Sequence, residues 1–169
     1  GNIPYQQFAY SYGVPAKEEV AFRIYDAPDV GYLIHGEADL SNSGPSLVKL
    51  NDQYEIEWVK TFGTPGIKWW RYHFSPTTDG YYFALSNDGV IGKLDLNGNM
   101  LWTKQITTLV DKIDDINTTP DGGFAISGQI HSFLFGYYRV TDMYIAKYDE
   151  NVDEEWVKMY GNKLVQVWW

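Results

Sequence analysis

Runs of alternating apolar and polar residues, each bounded by turn residues, recur along the whole chain. "VAFRIYD", "KWWRYHF" and "VDKIDDI" alternate with a period of two, the spacing of a half-buried strand. Each is followed by a turn of Pro, Asp and Gly and then a short aromatic and aliphatic run: "APDVGYLIHGE", "PTTDGYYFALS" and "TTPDGGFAISG". Tyr32, Tyr82 and Phe124 occupy matching places in this alignment. A third shared element closes each unit: "KLNDQYEIEW", "KLDLNGNMLW" and "KYDENVDEEW". In all three the Lys (Lys49, Lys93, Lys147) precedes the Trp (Trp58, Trp102, Trp156) by the same interval, across a turn. No segment carries a capped helical period. The pattern predicts an all-β chain of repeated units, each of four short antiparallel strands, a to d.

Four strands every 40–50 residues or so is the sequence signature of a β-propeller blade. Such a unit buries its faces only by stacking on neighbours, and the repeated Trp is the residue expected to fill the space between them. The units expected are blades over 19–63, 67–107 and 110–161. A last strand without a to c before it covers 1–13, and the start of a next blade covers 163–169. Three units with a partial strand at each end leave blade edges to be covered. The expectation is a segment of a longer polypeptide, the alternative being an assembly in which copies complete one another.

Composition narrows the function classes. Aromatics make up 17% of the 169 residues, which suits pleated, packed faces. The net charge of −9 argues against nucleic acid, whose phosphates call for a basic surface, and against anionic membrane surfaces. No apolar run approaches the ~20 residues of a membrane-spanning helix. With no cysteine, disulfides, thiolate catalysis and Cys-based zinc sites are excluded. No cofactor is expected.

The candidate chemistry is sparse. "KLDLNGNMLW" opens like a calcium loop but lacks the closing acid, and Asn-Gly is a favoured hairpin turn. Asp149, Asn151, Asp153 and Glu154 form the better metal cluster, with a solvated acidic turn as the expected reading. His35, His73 and His131 fall in different units, in strand b, strand a and the b–c loop, without ligand spacing. Asp111, Asp114 and Asp115 lie in an a strand, where alternate carboxylates would face a central channel. Asp114 and Asp115 are adjacent and point to opposite sides. Trp69 and Trp70, and likewise Trp168 and Trp169, are adjacent pairs in a strands, one member of each expected in the core. Asn117 to Thr119 reads as a glycosylation sequon. The b–c insertion "HSFLFGYYRVT" carries Phe133, Phe135, Tyr137, Tyr138 and Arg139, residue types that dominate binding hot spots. The alternative for that insertion is an edge hairpin folded on its own blade.

The pattern "DGGFAISG…DMYIAKYDENVDEEWVKMYG" is similar to the repeats of bacterial and archaeal exported β-propeller proteins, and "KLDLNGNMLW" resembles the pyrroloquinoline-quinone-type repeat. The resemblance spans about residues 6–169. The first unit departs from it, with "DVGY" and "KLN" in place of "DGGY" and "KLD". It implies an extracellular, cell-surface or periplasmic module that is not an enzyme. Such a module would act as a protein-interaction or self-assembly scaffold, its partner being another protein, a copy of itself or the remainder of a longer chain. The quinone enzymes need a full ring of blades with cofactor and metal residues, which three units do not supply. A carbohydrate-binding propeller is the second reading, and a fragment of a propeller enzyme the third.

Overall fold

The computed structural model describes residues 19–38, 44–62, 72–85, 89–106, 112–134 and 138–161. These contain twelve strands and no helix. They are β1 (Glu19–Asp26), β2 (Tyr32–Ala38), β3 (Gly44–Leu50), β4 (Ile56–Thr61), β5 (Tyr72–Thr77), β6 (Gly80–Leu85), β7 (Val90–Asp95), β8 (Met100–Gln105), β9 (Lys112–Thr118), β10 (Phe124–Leu134), β11 (Tyr138–Tyr148) and β12 (Glu154–Tyr160). They form three antiparallel four-stranded meanders in chain order, β1–β4, β5–β8 and β9–β12. The partial strands expected over 1–13 and 163–169 lie outside the described residues, as do Trp69, Trp70, Trp168, Trp169, Asp111, Phe135 and Tyr137.

The shared interval between Lys and Trp has a geometric meaning. Lys49 pairs across the ladder with Trp58, Lys93 with Trp102 and Lys147 with Trp156. In each sheet the register shifts by a bulge immediately after the Lys. The c–d turns that follow are one structure repeated. The amides of Asn51, Asp95 and Asp149 donate to the carbonyls of Glu55, Asn99 and Asp153. The side-chain Oδ1 of each leading Asn or Asp accepts the amide four residues on. Tyr54, Gly98 and Val152 hold the same place in these turns, all with left-handed φ of 64°, 72° and 68°. Glycine sits there without strain, whereas a side chain costs about 1–2 kcal/mol.

The repeat Lys also explains the Asp-Gly element. Lys49 Nζ lies 3.3 Å from Asp29 and 2.8 Å from Glu57, Lys93 Nζ 2.8 Å from Asp79, and Lys147 Nζ 2.8 Å from Asp121 and 2.9 Å from Glu155. Each Lys therefore clasps strand c to the a–b turn of its own sheet. At the start of strand b, a Cβ on Gly31, Gly80 or Gly123 would meet the carbonyl oxygen of Leu50, Leu94 or Tyr148 at 2.0–2.2 Å. Only glycine lets that backbone approach.

The same register corrects one alignment. Tyr32, Tyr81 and Phe124 face Leu50, Leu94 and Tyr148, whereas Tyr82 faces Lys93. Tyr81, not Tyr82, matches Tyr32 and Phe124. Because side chains alternate between faces, Tyr81 and Tyr82 pack on opposite sides of the middle sheet. Tyr81 and Phe83 join Leu33, Leu47, Phe74 and Leu94 in the core between the first and second sheets. Tyr82, Ala84 and Ile91 join Ile113, Ile126, Phe124 and Tyr144 in the core between the second and third.

Candidate interaction surfaces

Each sheet has two faces, and register assigns the residues on them. On the face that carries the repeat Trp, the first sheet presents the rows Tyr25–Leu33–Lys49–Trp58 and Arg23–His35–Leu47–Lys60. The second presents Ser75–Tyr82–Lys93–Trp102 and His73–Ala84–Ile91–Lys104. The third presents Asn117–Ala125–Lys147–Trp156 and Asp115–Ser127–Ile145–Lys158.

The first two of these faces are covered by the following sheet, in one manner. Trp58 lies over the c–d turn of the second sheet, its Nε1 donating to the Leu96 carbonyl at 3.1 Å. A Cβ on Gly98 would sit 2.9 Å from the Trp58 ring. Lys60 Nζ donates to Asn99 Oδ1 on that turn at 3.1 Å. One sheet on, Trp102 packs on the core that contains Val152. Lys104 Nζ donates to the Val152 carbonyl at 3.1 Å.

The third sheet repeats the donor side of this contact, with no further sheet seated on it among the described residues. Trp156 is 41% exposed, and on the same face, beyond the Ile145–Lys158 row, lie Met143 and Tyr160, 53% and 49% exposed. Lys158 Nζ lies 5.3 Å above the Trp156 ring. At the other end the first sheet offers the receiving side. One aliphatic row, Ile24–Ile34–Val48–Val59, runs across all four of its strands. Ile24 is 63% exposed and Val59 36%. The equivalent rows Phe74–Phe83–Gly92–Thr103 and Ile116–Ile126–Ala146–Val157 face a neighbouring sheet.

At the inner strands the sheets converge. Ser75 Oγ accepts the Thr118 amide at 2.8 Å, joining β5 to β9. Arg23, His73 and Asp115 hold the same register position in their sheets and meet there. Arg23 Nη1 donates to Asp115 Oδ1 at 3.5 Å, and His73 Nδ1 lies 3.9 Å from the same oxygen. His35 sits behind them, buried, its ring edge-on to Phe74 at 5.1 Å and neither nitrogen hydrogen-bonded. Burial, with the charges of His73 and Arg23, pushes His35 down to about 4. Burial and then Arg23 likewise lower His73. The expectation that His35 and His73 are isolated gives way here: they share one environment. The Arg–His–Asp set is equivalent only in ladder register: in the runs "VAFRIYD", "KWWRYHF" and "VDKIDDI" it is Tyr25 that falls in the column of His73 and Asp115.

The remaining candidates separate. Asp114 accepts Gln129 Nε2 at 2.8 Å and pairs with Lys112, apart from the Asp115 cluster. Asp149 Oδ1 accepts the amides of Asn151 and Asp153, and Glu154 lies within 3.4 Å of the Tyr148 hydroxyl. Among the described residues no three His, Cys, Asp or Glu side chains are placed to hold a metal. His131 lies in strand β10 rather than in a loop. The b–c insertion prolongs β10 and β11, with Phe133 paired to Arg139 and Leu134 to Tyr138. This two-stranded ribbon runs on past the last partners of β10 in β9 and of β11 in β12, at Gln129 and Met143. A polar groove between the second and third sheets is lined by Asp79, Tyr82, Lys93, Trp102, Thr119 and Asn151, among others.

No family model matches the chain, and no curated protein matches it. Among solved structures it is similar to the crystal structure of a protein of unknown function from Bacteroides caccae. The TM-score is 0.51 at 10% identity, over 89% of this chain and 70% of that one. That likeness is one of fold alone.

Proposed function

We propose that the chain is a non-enzymatic β-propeller-type module, exported or displayed at a cell surface, that works as a protein-interaction scaffold through its outer sheet faces. One observation carries this reading. Positions buried in the second sheet hold exposed apolar side chains at the two ends: Ile24 stands where Phe74 is buried, and Met143 and Tyr160 stand where Gly89 and Ile106 are buried, while Trp156 is more exposed than the half-buried Trp58 and Trp102. Apolar surface arranged in continuous rows marks an interaction site more often than scattered exposed residues do. The resemblance to exported propeller repeats supports the location, and the four-stranded meanders stacked on repeated Trp residues support the propeller assignment.

The apolar dye anilinonaphthalene sulfonate tests the reading. At a dilution where it is monomeric the folded chain should bind it, and Ile24→Lys with Val59→Lys should remove much of that binding while the melting temperature holds. A folded monomer that leaves the dye dark has no such surface, and the reading fails.

The groove beside Tyr82 and Trp102 favours carbohydrate as a second reading, since it places an indole beside the Asp79–Lys93 pair. A glycan array should then give hits that Trp102→Ala removes, and an empty array rejects it.

A further inference from the structure

The internal contacts between sheets, made twice within the chain, specify what covers its two ends. We infer that a second copy of this chain docks head to tail, the Trp156 face of one copy seated on the first sheet of the other. This rests on the interaction-scaffold reading and names its partner.

The donor half is complete on the third sheet. Trp156 holds the position of Trp58 and Trp102, and Lys158 that of Lys60 and Lys104, both of which reach onto the next sheet's c–d turn. The receiving half is complete on the first sheet: the row Ile24–Ile34–Val48–Val59, flanked by the turn from Asn51 to Glu55. Glu55 stands where Asn99 accepts Lys60, so the arriving Lys158 ammonium meets a carboxylate. Asp52 adds a second negative charge to that turn. Tyr54 takes the place of Gly98 and Val152, and its ring stacks on Tyr32 at 6.0 Å.

The two halves differ, so the contact is heterologous, and such contacts either close into rings or grow without end. With three sheets among the described residues of each chain, two copies supply six. That lies inside the range of roughly four to eight blades over which propellers close. A closed dimer of two equal contacts is the expected product.

Sedimentation equilibrium of the 169-residue chain, with and without substitutions, tests this. The wild-type mass should be twice that of the chain. Val59→Arg on the receiving face, or Trp156→Ala on the donor face, should weaken the dimer at least tenfold with unchanged circular dichroism. Because the chain has no cysteine, Asp52→Cys and Lys158→Cys report orientation cleanly. A short bis-maleimide should link the two variants when mixed and leave each alone unlinked. Links within a single variant would mean a like-to-like contact, and a ladder of larger species would mean no closure; either overturns the proposal. A monomer at high concentration overturns it too, and the dye then separates two failures. A monomer that binds dye retains open faces meant for another protein, whereas a dark monomer removes the scaffold reading as well.

Discussion

The second sheet and the third carry the same repeat, yet among the described residues the second is covered by a sheet on both faces and the third on one. Phe83 and Tyr82 leave the second sheet in opposite directions and each reaches a hydrophobic core. On the third sheet Ile126 reaches a core, while Trp156 on the opposite face lies 41% exposed. The repeated residues are thus not equivalent in energy. Their contribution is set by whether another sheet follows, as expected for an array stabilised by nearest-neighbour contacts.

The largest effect should separate matched positions of one row. Phe83 in the second sheet corresponds to Ile34 in the first by register. Phe83 is buried against Phe74 and over Gly92. In the isolated monomer Phe83→Ala should cost about 3–5 kcal/mol and Ile34→Ala about 1 kcal/mol or less, read by urea denaturation. Equal losses at the two positions would mean that the first sheet's outer face is as well covered as the middle one.

The His35 environment gives the next effect. Its folded pKa lies at about 4, below the ordinary value of 6.5, so between these the unfolded chain binds the proton and the folded chain resists it. The contribution is fully present above pH 6.5 and is lost as pH falls toward 4, by about 3 kcal/mol. His73 is shifted the same way and adds to the loss. Depressed carboxylates such as Asp79, held down by Lys93, act only at lower pH. His35→Phe should flatten the pH dependence of urea midpoints between pH 6.5 and 4, and an unchanged slope would place the protonation elsewhere. An analogous test has no counterpart at the open ends, where no buried histidine sits.

These comparisons also show what was legible in the residues. Turn chemistry and alternation located the strands of all three meanders, and the interval from Lys to Trp encoded a cross-strand pair plus a bulge. Two adjacent aromatics, Tyr81 and Tyr82, defeated the face assignment, since only the ladder tells which one matches Tyr32. The b–c insertion reads equally as a binding loop or an edge hairpin, because its length breaks the repeat. Its described residues, 131–134 and 138–141, continue the β10–β11 ladder. The meeting of Arg23 with Asp115 left no local spacing to notice, because it arises from packing one repeat beside the next.

The third effect sets Trp58 against Trp156. Trp58→Ala removes a half-buried ring and leaves the Leu96 carbonyl without its indole donor, which should cost about 2–3 kcal/mol. Trp156→Ala in the isolated monomer should cost less than about 1 kcal/mol, because the residue keeps much of its water contact when folded. If both cost the same in dilute chain, Trp156 is packed by something other than a docked sheet.

The smallest effect sharpens the comparison most, because it concerns one turn in three surroundings. Gly98 carries its left-handed φ at no steric cost but lies beneath Trp58, so Gly98→Ala meets both strain and the ring. Val152 bears the strain and recovers part of it by burial in the core beside Trp102. Tyr54 bears the same strain while 42% exposed, and its ring stacks on Tyr32. Tyr54→Gly removes a penalty of about 1–2 kcal/mol and forfeits a stack of about 0.5–1.5 kcal/mol. In monomer the change should therefore lie within about 1 kcal/mol of neutral, on the stabilising side. In the docked dimer the balance reverses if Tyr54 is part of the seat for Trp156: Tyr54→Gly should then weaken association while leaving monomer stability intact. A variant that loses stability as a monomer and none of its association would show that this tyrosine serves its own sheet alone.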